Sequence, residues 1–165
     1  MECISSVSYS LLVNDKPTGL IHPTRGIRQG DPLSPYIFII CMEALSQALL
    51  PESMKTKTGI GIQLGPRMER IPCLLFADDC LLFCKVEHLT CSCLKSLLDT
   101  FCSRFGQLIN YHKSTLTFSS NANTSHRQVA TGIFNITHSD SLRKYLGCPV
   151  FQKRPNLTTF SELIE

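Results

Sequence analysis

The sequence lacks any apolar run long enough to span a bilayer. Its longest uninterrupted stretch, Tyr36 to Met42, falls far short of the roughly 18 residues a span needs. A secretory leader is also lacking: the chain opens Met1-Glu2-Cys3-Ile4-Ser5-Ser6, with no basic segment, apolar run and cleavage site in succession. No internal repeat and no basic arm are present. Residues 1 to 50 hold three basic side chains against four acidic, 51 to 120 eight against six, and 121 to 165 five against three. These absences argue against a membrane protein, a solenoid and a polybasic tail. They lead us to expect an intracellular protein, nuclear or cytoplasmic, with no membrane partner.

What is present suffices for one domain with its own core: 165 residues, 43% apolar and 18% charged. A net charge of +3 fits a nucleic-acid partner without singling one out. Nine cysteines would suit a secreted disulfide scaffold, but with no leader we expect reduced thiols and no disulfide-linked partner. Cys41, Cys73, Cys80, Cys84 and Cys102 sit among Leu, Ile and Phe, where a thiol serves as a small buried hydrophobe. The Asn-x-Ser/Thr triplets at Asn123, Asn135 and Asn156 then carry no argument, because glycosylation needs secretion.

Residues 7 to 13 alternate loosely and are followed by Asn14-Asp15-Lys16-Pro17-Thr18-Gly19, which predicts a hairpin returning near Leu20 and Ile21. A polar stretch from Arg25 to Pro35 leads into a helix over 36 to 50. Asp31 or Ser34 is its candidate cap, with Pro32 or Pro35 in the first turn. Its apolar residues run nearly all the way round, which predicts a buried helix. Residues 51 to 70 read as a loop, and Ile71 to Cys84 as strand, tight turn, strand. Leu89, Leu94, Leu97, Leu98, Phe101 and Phe105 then mark an amphipathic helix closed by Gly106. Thr115 to Phe118 and Tyr145 to Val150 are short strand candidates, and 119 to 128 reads as a surface loop.

The chemistry is concentrated at Asp78 and Asp79, which follow Leu74, Leu75 and Phe76 and precede Leu81, Leu82 and Phe83. Adjacent carboxylates repel, and apolar surroundings raise the penalty. A divalent cation answers both problems, and Mg²⁺ favours such hard oxygen ligands together with phosphates and water. The plainer reading is an exposed turn, for which Asp is a common choice. Cys80, Cys84, His88 and Cys91 have a superficially zinc-like spacing, but Cys80 and Cys84 share a strand face with Leu82, which favours packing.

Four ordered blocks decide between these readings. Arg28-Gln29-Gly30-Asp31-Pro32-Leu33-Ser34-Pro35, Phe76-Ala77-Asp78-Asp79, Gly106-Gln107-Leu108-Ile109-Asn110 with Lys113-Ser114, and Lys144-Tyr145-Leu146-Gly147-Cys148-Pro149 resemble successive palm motifs of non-LTR (LINE-type) retrotransposon reverse transcriptases, especially those of plants. The resemblance covers about residues 1 to 155. It implies an α+β fold, a partial right-hand polymerase palm with a small antiparallel sheet packed on two helices. Residues 1–120 would be the palm piece and 121–165 the connection toward the thumb.

Residue by residue, the resemblance makes Asp78 and Asp79 the catalytic metal ligands of a two-metal nucleotidyl transfer with Mg²⁺. Arg28, Gln29 and Gly30 match the loop near nucleotide and template, although Arg28 also has Asp31 within reach as a partner. Lys113 matches the lysine near the triphosphate, or is simply solvated after a turn. Leu146 and Gly147 match the hairpin that grips the primer, and Phe105 stands where serine is common. Partners implied are an RNA template, a DNA primer and deoxynucleoside triphosphates. The resemblance also implies a further metal-binding aspartate, on a strand upstream of the segment that Met1 to Ser10 resembles. Asp15, Asp31, Asp99 and Asp140 are poor substitutes. We therefore expect a chain that begins mid-domain and does not polymerise alone, with a catalytically inactive remnant as the alternative. No residues support an endonuclease or ribonuclease H.

Overall fold

In the computed structural model the described residues are 6–24, 26–54, 59–139, 144–146 and 148–149. Strands β1 (Tyr9–Val13) and β2 (Lys16–Ile21) form the expected hairpin. Its turn is tighter than the run of turn-forming residues suggested. Asn14 and Asp15 both take positive φ, 51° and 61°, so two residues reverse the chain in the manner that matches strand twist. Lys16, Pro17, Thr18 and Gly19 therefore belong to β2, with a register shift between Tyr9 and Leu11.

Helix α1 (Ser34–Met54) begins where the loop tightens on itself. Neither candidate caps a helical N–H: Asp31 Oδ1 accepts from the N–H of Leu33, which precedes the helix, at 2.8 Å, and the Ser34 hydroxyl donates back to the Arg28 carbonyl, so both side chains brace the loop instead. The expectation of a buried helix is corrected. Leu45, Leu49 and Ser53 are buried on one stripe, but Tyr36, Ile39 and Ile40 are 67, 63 and 69% exposed. An all-round apolar pattern says that a helix tolerates burial, and leaves open what covers each face. Ser34–Ser53 is also long and apolar enough, by length and composition, to cross a membrane. The run-length reading missed this because Glu43 and the Ser46-Gln47 pair interrupt the sequence.

The segment read as a loop over 51 to 70 holds the end of α1 and a short ribbon, β3 (Ile62–Gln63) against β4 (Arg70–Ile71). Arg70 stiffens it by donating to the carbonyls of Ile60 and Gly61 at 3.3 and 3.2 Å. Strands β5 (Cys73–Phe76) and β6 (Asp79–Leu82) form the aspartate ribbon. Helix α2 (His88–Phe105) ends at Gly106 with φ 66°, the left-handed residue that frees the last carbonyls for capping. Its buried face is Cys91, Leu94, Leu98 and Phe101 at helical spacing. Leu89 and Phe105, expected on that face, are 82 and 39% exposed: Leu89 lies off the stripe in the first turn, and Phe105 continues it in the last turn, against the Phe101 ring.

Beyond α2, β7 (Leu116–Thr117) pairs in parallel with β8 (His138–Ser139). Between them lies α3 (Thr124–Phe134), where a surface loop was expected. Polar composition hid this helix. Its signals are at the ends: the Asn123 side chain accepts from the Ser125 N–H, and left-handed Asn135 donates its N–H to Thr131 O. The last ribbon is β9 (Lys144–Tyr145) with β10 (Cys148–Pro149), turned at Leu146, φ 52°.

The described residues thus hold helices and five separate two-stranded ribbons, four antiparallel and one parallel. One small antiparallel sheet was expected. A single core joins the three helices: Leu45 and Leu49 from α1; Cys91, Leu94, Leu98 and Phe101 from α2; Ala130 and Phe134 from α3; and Ile60, Phe118 and Ile136 from the segments between and after them. Each Leu, Ile or Phe among them contributes about 1.5–3 kcal/mol on burial. Cys73, Leu82 and Cys84 pack the base of the aspartate ribbon on this core. Cys80 is exposed, correcting its expected burial.

Candidate functional site

The aspartate ribbon is held at its base and free at its tip. Cys73 pairs with Leu82, Leu74 with Leu81, Leu75 with Cys80 and Phe76 with Asp79. Below them Phe83 N–H donates to Pro72 O at 2.9 Å, Gly61 N–H to Phe83 O at 2.7 Å, and Lys85 N–H to Gly59 O at 2.8 Å. Apolar residues at this base anchor it in the core. At the other end only Ala77 and Asp78 make the turn. Ala77 has φ 47°, a left-handed value that costs an L residue about 1–2 kcal/mol.

Both aspartates are exposed. The reasoning that apolar neighbours would penalise their charge is therefore corrected: Phe76 is 61% and Leu74 42% exposed, so these neighbours lie open beside the carboxylates and do not enclose them. Among the described residues, no group of three His, Cys, Asp or Glu is placed to hold a metal ion. This applies equally to Cys80, Cys84, His88 and Cys91. The other acids weighed as ligands lie elsewhere: Asp15 is in the β1–β2 turn, Asp31 accepts from the Leu33 N–H before α1, and Asp99 is paired with Lys95. Asp140 lies outside the described residues.

The β9–β10 ribbon is beside the aspartates. The Tyr145 hydroxyl donates to the Leu74 carbonyl of β5 at 3.4 Å. Its ionisation is pushed up, first by burial, then by the neighbouring Asp79 carboxylate and the Cys80 and Cys73 thiols. Leu146 follows in the turn, 47% exposed, and Gly147 lies outside the described residues. The resemblance had pointed to Leu146 and Gly147, the two residues that follow Tyr145, and passed over Tyr145 itself. Only a contact across 71 residues of sequence singles it out, and no local pattern carries that.

Arg28, Gln29 and Gly30 are exposed just before α1. Gly30 has φ 84° and open space where a Cβ would stand, so its backbone is approachable. The Arg28 carbonyl accepts from Asp31 N–H at 3.4 Å and from the Ser34 hydroxyl. Asp31 thus serves the backbone. Helix α1 is the element shared with the ribbon: it packs against β5, and Glu43, midway along, lies close enough to Cys73 to raise its thiol's ionisation, after burial.

Lys113 is exposed in a turn organised by Asn110, whose Oδ1 accepts from Lys113 N–H at 3.2 Å and whose carbonyl accepts from Ser114 N–H at 3.0 Å. Among the described residues neither Asp78 nor Asp79 hydrogen-bonds or ion-pairs with Arg28, Gln29 or Lys113. The groups brought into one neighbourhood are Asp79, Cys80 and Tyr145.

The sequence model of the family described as "Reverse transcriptase (RNA-dependent DNA polymerase)" matches residues 2–150. Over 68 residues the chain is 48% identical to an uncharacterized mitochondrial protein of Arabidopsis thaliana, covering 41% of this chain and 55% of that protein. It is 38% identical over 90 residues to the retrovirus-related Pol polyprotein from type-1 retrotransposable element R2 of Popillia japonica, covering 54% of this chain and 12% of the polyprotein. The corresponding R2 polyprotein of Nasonia vitripennis is 43% identical over 68 residues, 41% of this chain and 6% of its own length. The chain therefore spans about half of the plant relative and a small part of the two polyproteins.

Proposed function

Because the chain belongs to the reverse transcriptase (RNA-dependent DNA polymerase) family, we propose that it is a palm segment of a non-LTR retrotransposon polymerase. Asp78 and Asp79 are its metal-binding carboxylates. Residues 1–120 are the palm piece and 121–165 its connection toward the thumb. The observation that carries this reading is the presentation of two adjacent, exposed carboxylates at the free tip of a ribbon whose base is buried.

The donor set suits Mg²⁺ in kind, since both groups are hard oxygen ligands open to water and phosphate. When bound, Mg²⁺ would supply charge stabilisation to a phosphoryl transfer. The residues of this chain would hold and orient the reactants. Asp78 and Asp79 hold the metals, and Gln29 and open Gly30 line the approach of nucleotide and template. Arg28 and Lys113 offer phosphate contacts, and Leu146 with Gly147 grips the primer. The reactants are an RNA template, a DNA primer and deoxynucleoside triphosphates.

A second reading is a catalytically inactive retrotransposon remnant that at most binds nucleic acid. It is favoured by the absence, among the described residues, of a third acid beside Asp78 and Asp79. Primer extension on an RNA template with Mg²⁺ separates the two. The chain is assayed alone and fused to an upstream palm strand bearing the family's further aspartate. We expect extension from the fusion only, and its loss in Asp78→Asn. Activity that survives Asp78→Asn refutes the metal-ligand role, and an inactive fusion that is folded supports the remnant.

A further inference from the structure

Two marginal elements meet at one hydrogen bond. Each two-stranded ribbon, β5–β6 and β9–β10, lacks a third strand among the described residues, and an isolated pair of strands is at best marginally stable in water. The aspartate tip also carries the left-handed Ala77, a conformation that persists only when surrounding structure over-determines it. The base of the ribbon is fixed by the core, but the core stops at Cys73, Leu82 and Cys84. Between that base and the tip, the Tyr145 hydroxyl reaches the Leu74 carbonyl. Leu74 is paired with Leu81, and two residues further on Phe76 is paired with Asp79.

Resting on the proposed polymerase reading, we propose that Tyr145 is a positioning residue: its hydrogen bond to Leu74 holds the aspartate tip against the 144–149 ribbon, so that a primer end gripped there meets Asp78 and Asp79 at a fixed spacing. The tie acts on the backbone of β5. It leaves the carboxylates free for metal, which suits a residue that sets distance without taking part in the chemistry.

The test uses the full chain and Mn²⁺ as the probe, followed by NMR. In the wild type, Mn²⁺ should broaden the β5–β6 amides and, among the four tyrosines, selectively the Tyr145 ring. Asp78→Asn with Asp79→Asn should abolish this. Tyr145→Phe keeps the ring and deletes the donor. In it, hydrogen exchange at the amides paired across β5 and β6 should quicken about 2- to 10-fold, the loss of one net hydrogen bond. Amides of α2 around Leu94 and Leu98 should be unchanged. The Mn²⁺ midpoint at the tip should rise by a similar factor, which a purely structural loss would not produce in a chain of unaltered urea midpoint.

Unchanged β5–β6 exchange in Tyr145→Phe overturns the tie. So does a wild-type Mn²⁺ effect on the tip that spares the Tyr145 ring, a measurement that needs no variant. Absence of any Mn²⁺ effect in the wild type defeats the metal reading instead, and the exchange measurement then decides the tie by itself.

Discussion

Phe76 and Asp79 face each other as the closing pair of the β5–β6 ribbon, with only Ala77 and Asp78 between them. The two adjacent aspartates therefore have different backbones. Asp78 is a turn residue and Asp79 the first residue of a strand, so their carboxylates leave the chain from different local frames.

That turn is strained at one residue. Replacing Ala77, φ 47°, with glycine removes the steric cost of a left-handed L residue, offset in part by the larger entropy of the unfolded chain. Ala77→Gly should raise stability by about 0.5–1 kcal/mol. Urea denaturation checks this, and a lowered midpoint with unchanged slope would contradict the strained turn.

Helix α1 should show two faces energetically. Leu49, fully buried, should lose about 2–5 kcal/mol on Leu49→Ala. Ile40, 69% exposed, should change stability by less than about 0.5 kcal/mol on Ile40→Ala. Equal losses in paired urea titrations would show that the Tyr36–Ile40 face is covered in solution.

Thr90 is 1% exposed and its Oγ1 has no hydrogen-bond partner among the described residues. A buried unmade hydrogen bond costs about 1–3 kcal/mol, and valine has the same branched shape without the hydroxyl. Thr90→Val should therefore leave the melting temperature unchanged or raise it. A clear drop in a calorimetric scan would mean that Oγ1 is satisfied after all.

Cys80 is an exposed residue, yet partial burial and then the neighbouring Cys73 push its thiol up to about 12. In the unfolded chain it ionises near its ordinary 9.0. The sign follows from which state binds the proton more tightly. The folded state does, so this contribution to stability is complete below pH 9 and is lost as pH rises toward 12. The thiolate is the reactive form. At pH 9 alkylation of Cys80 by iodoacetamide should then be slower in the folded than in the denatured chain by on the order of a hundredfold. Peptide mapping after timed labelling measures it, and equal rates would contradict the shielding.

The elements that were legible beforehand are those specified by neighbouring residues. The β1–β2 hairpin, the ribbon around Asp78 and Asp79, and the α2 stop at Gly106 are all written within a few positions, although the hairpin's turn is tighter than its run of turn-forming residues. Helix α3 was not legible because its polar residues, from Thr124 to Gln128, resemble a loop and its caps are single asparagines. The exposure of Tyr36, Ile39 and Ile40 was not legible either, because apolarity records what a face tolerates and not what lies on it. At the site, the aspartates stood out through the ordered blocks around them, since their own chemistry fits an exposed turn equally well. The approach of Tyr145 to Leu74 depends on how distant segments fold together, and nothing near Tyr145 encodes it.

The separateness of the five ribbons has a mechanical consequence. Strands that share neighbours open together, whereas isolated pairs open one at a time. Beyond its anchored base, the tip of the β5–β6 ribbon can therefore open while the α1–α2–α3 core stays shut. Substitutions near Ala77 that leave the melting temperature untouched should still change how often this tip opens.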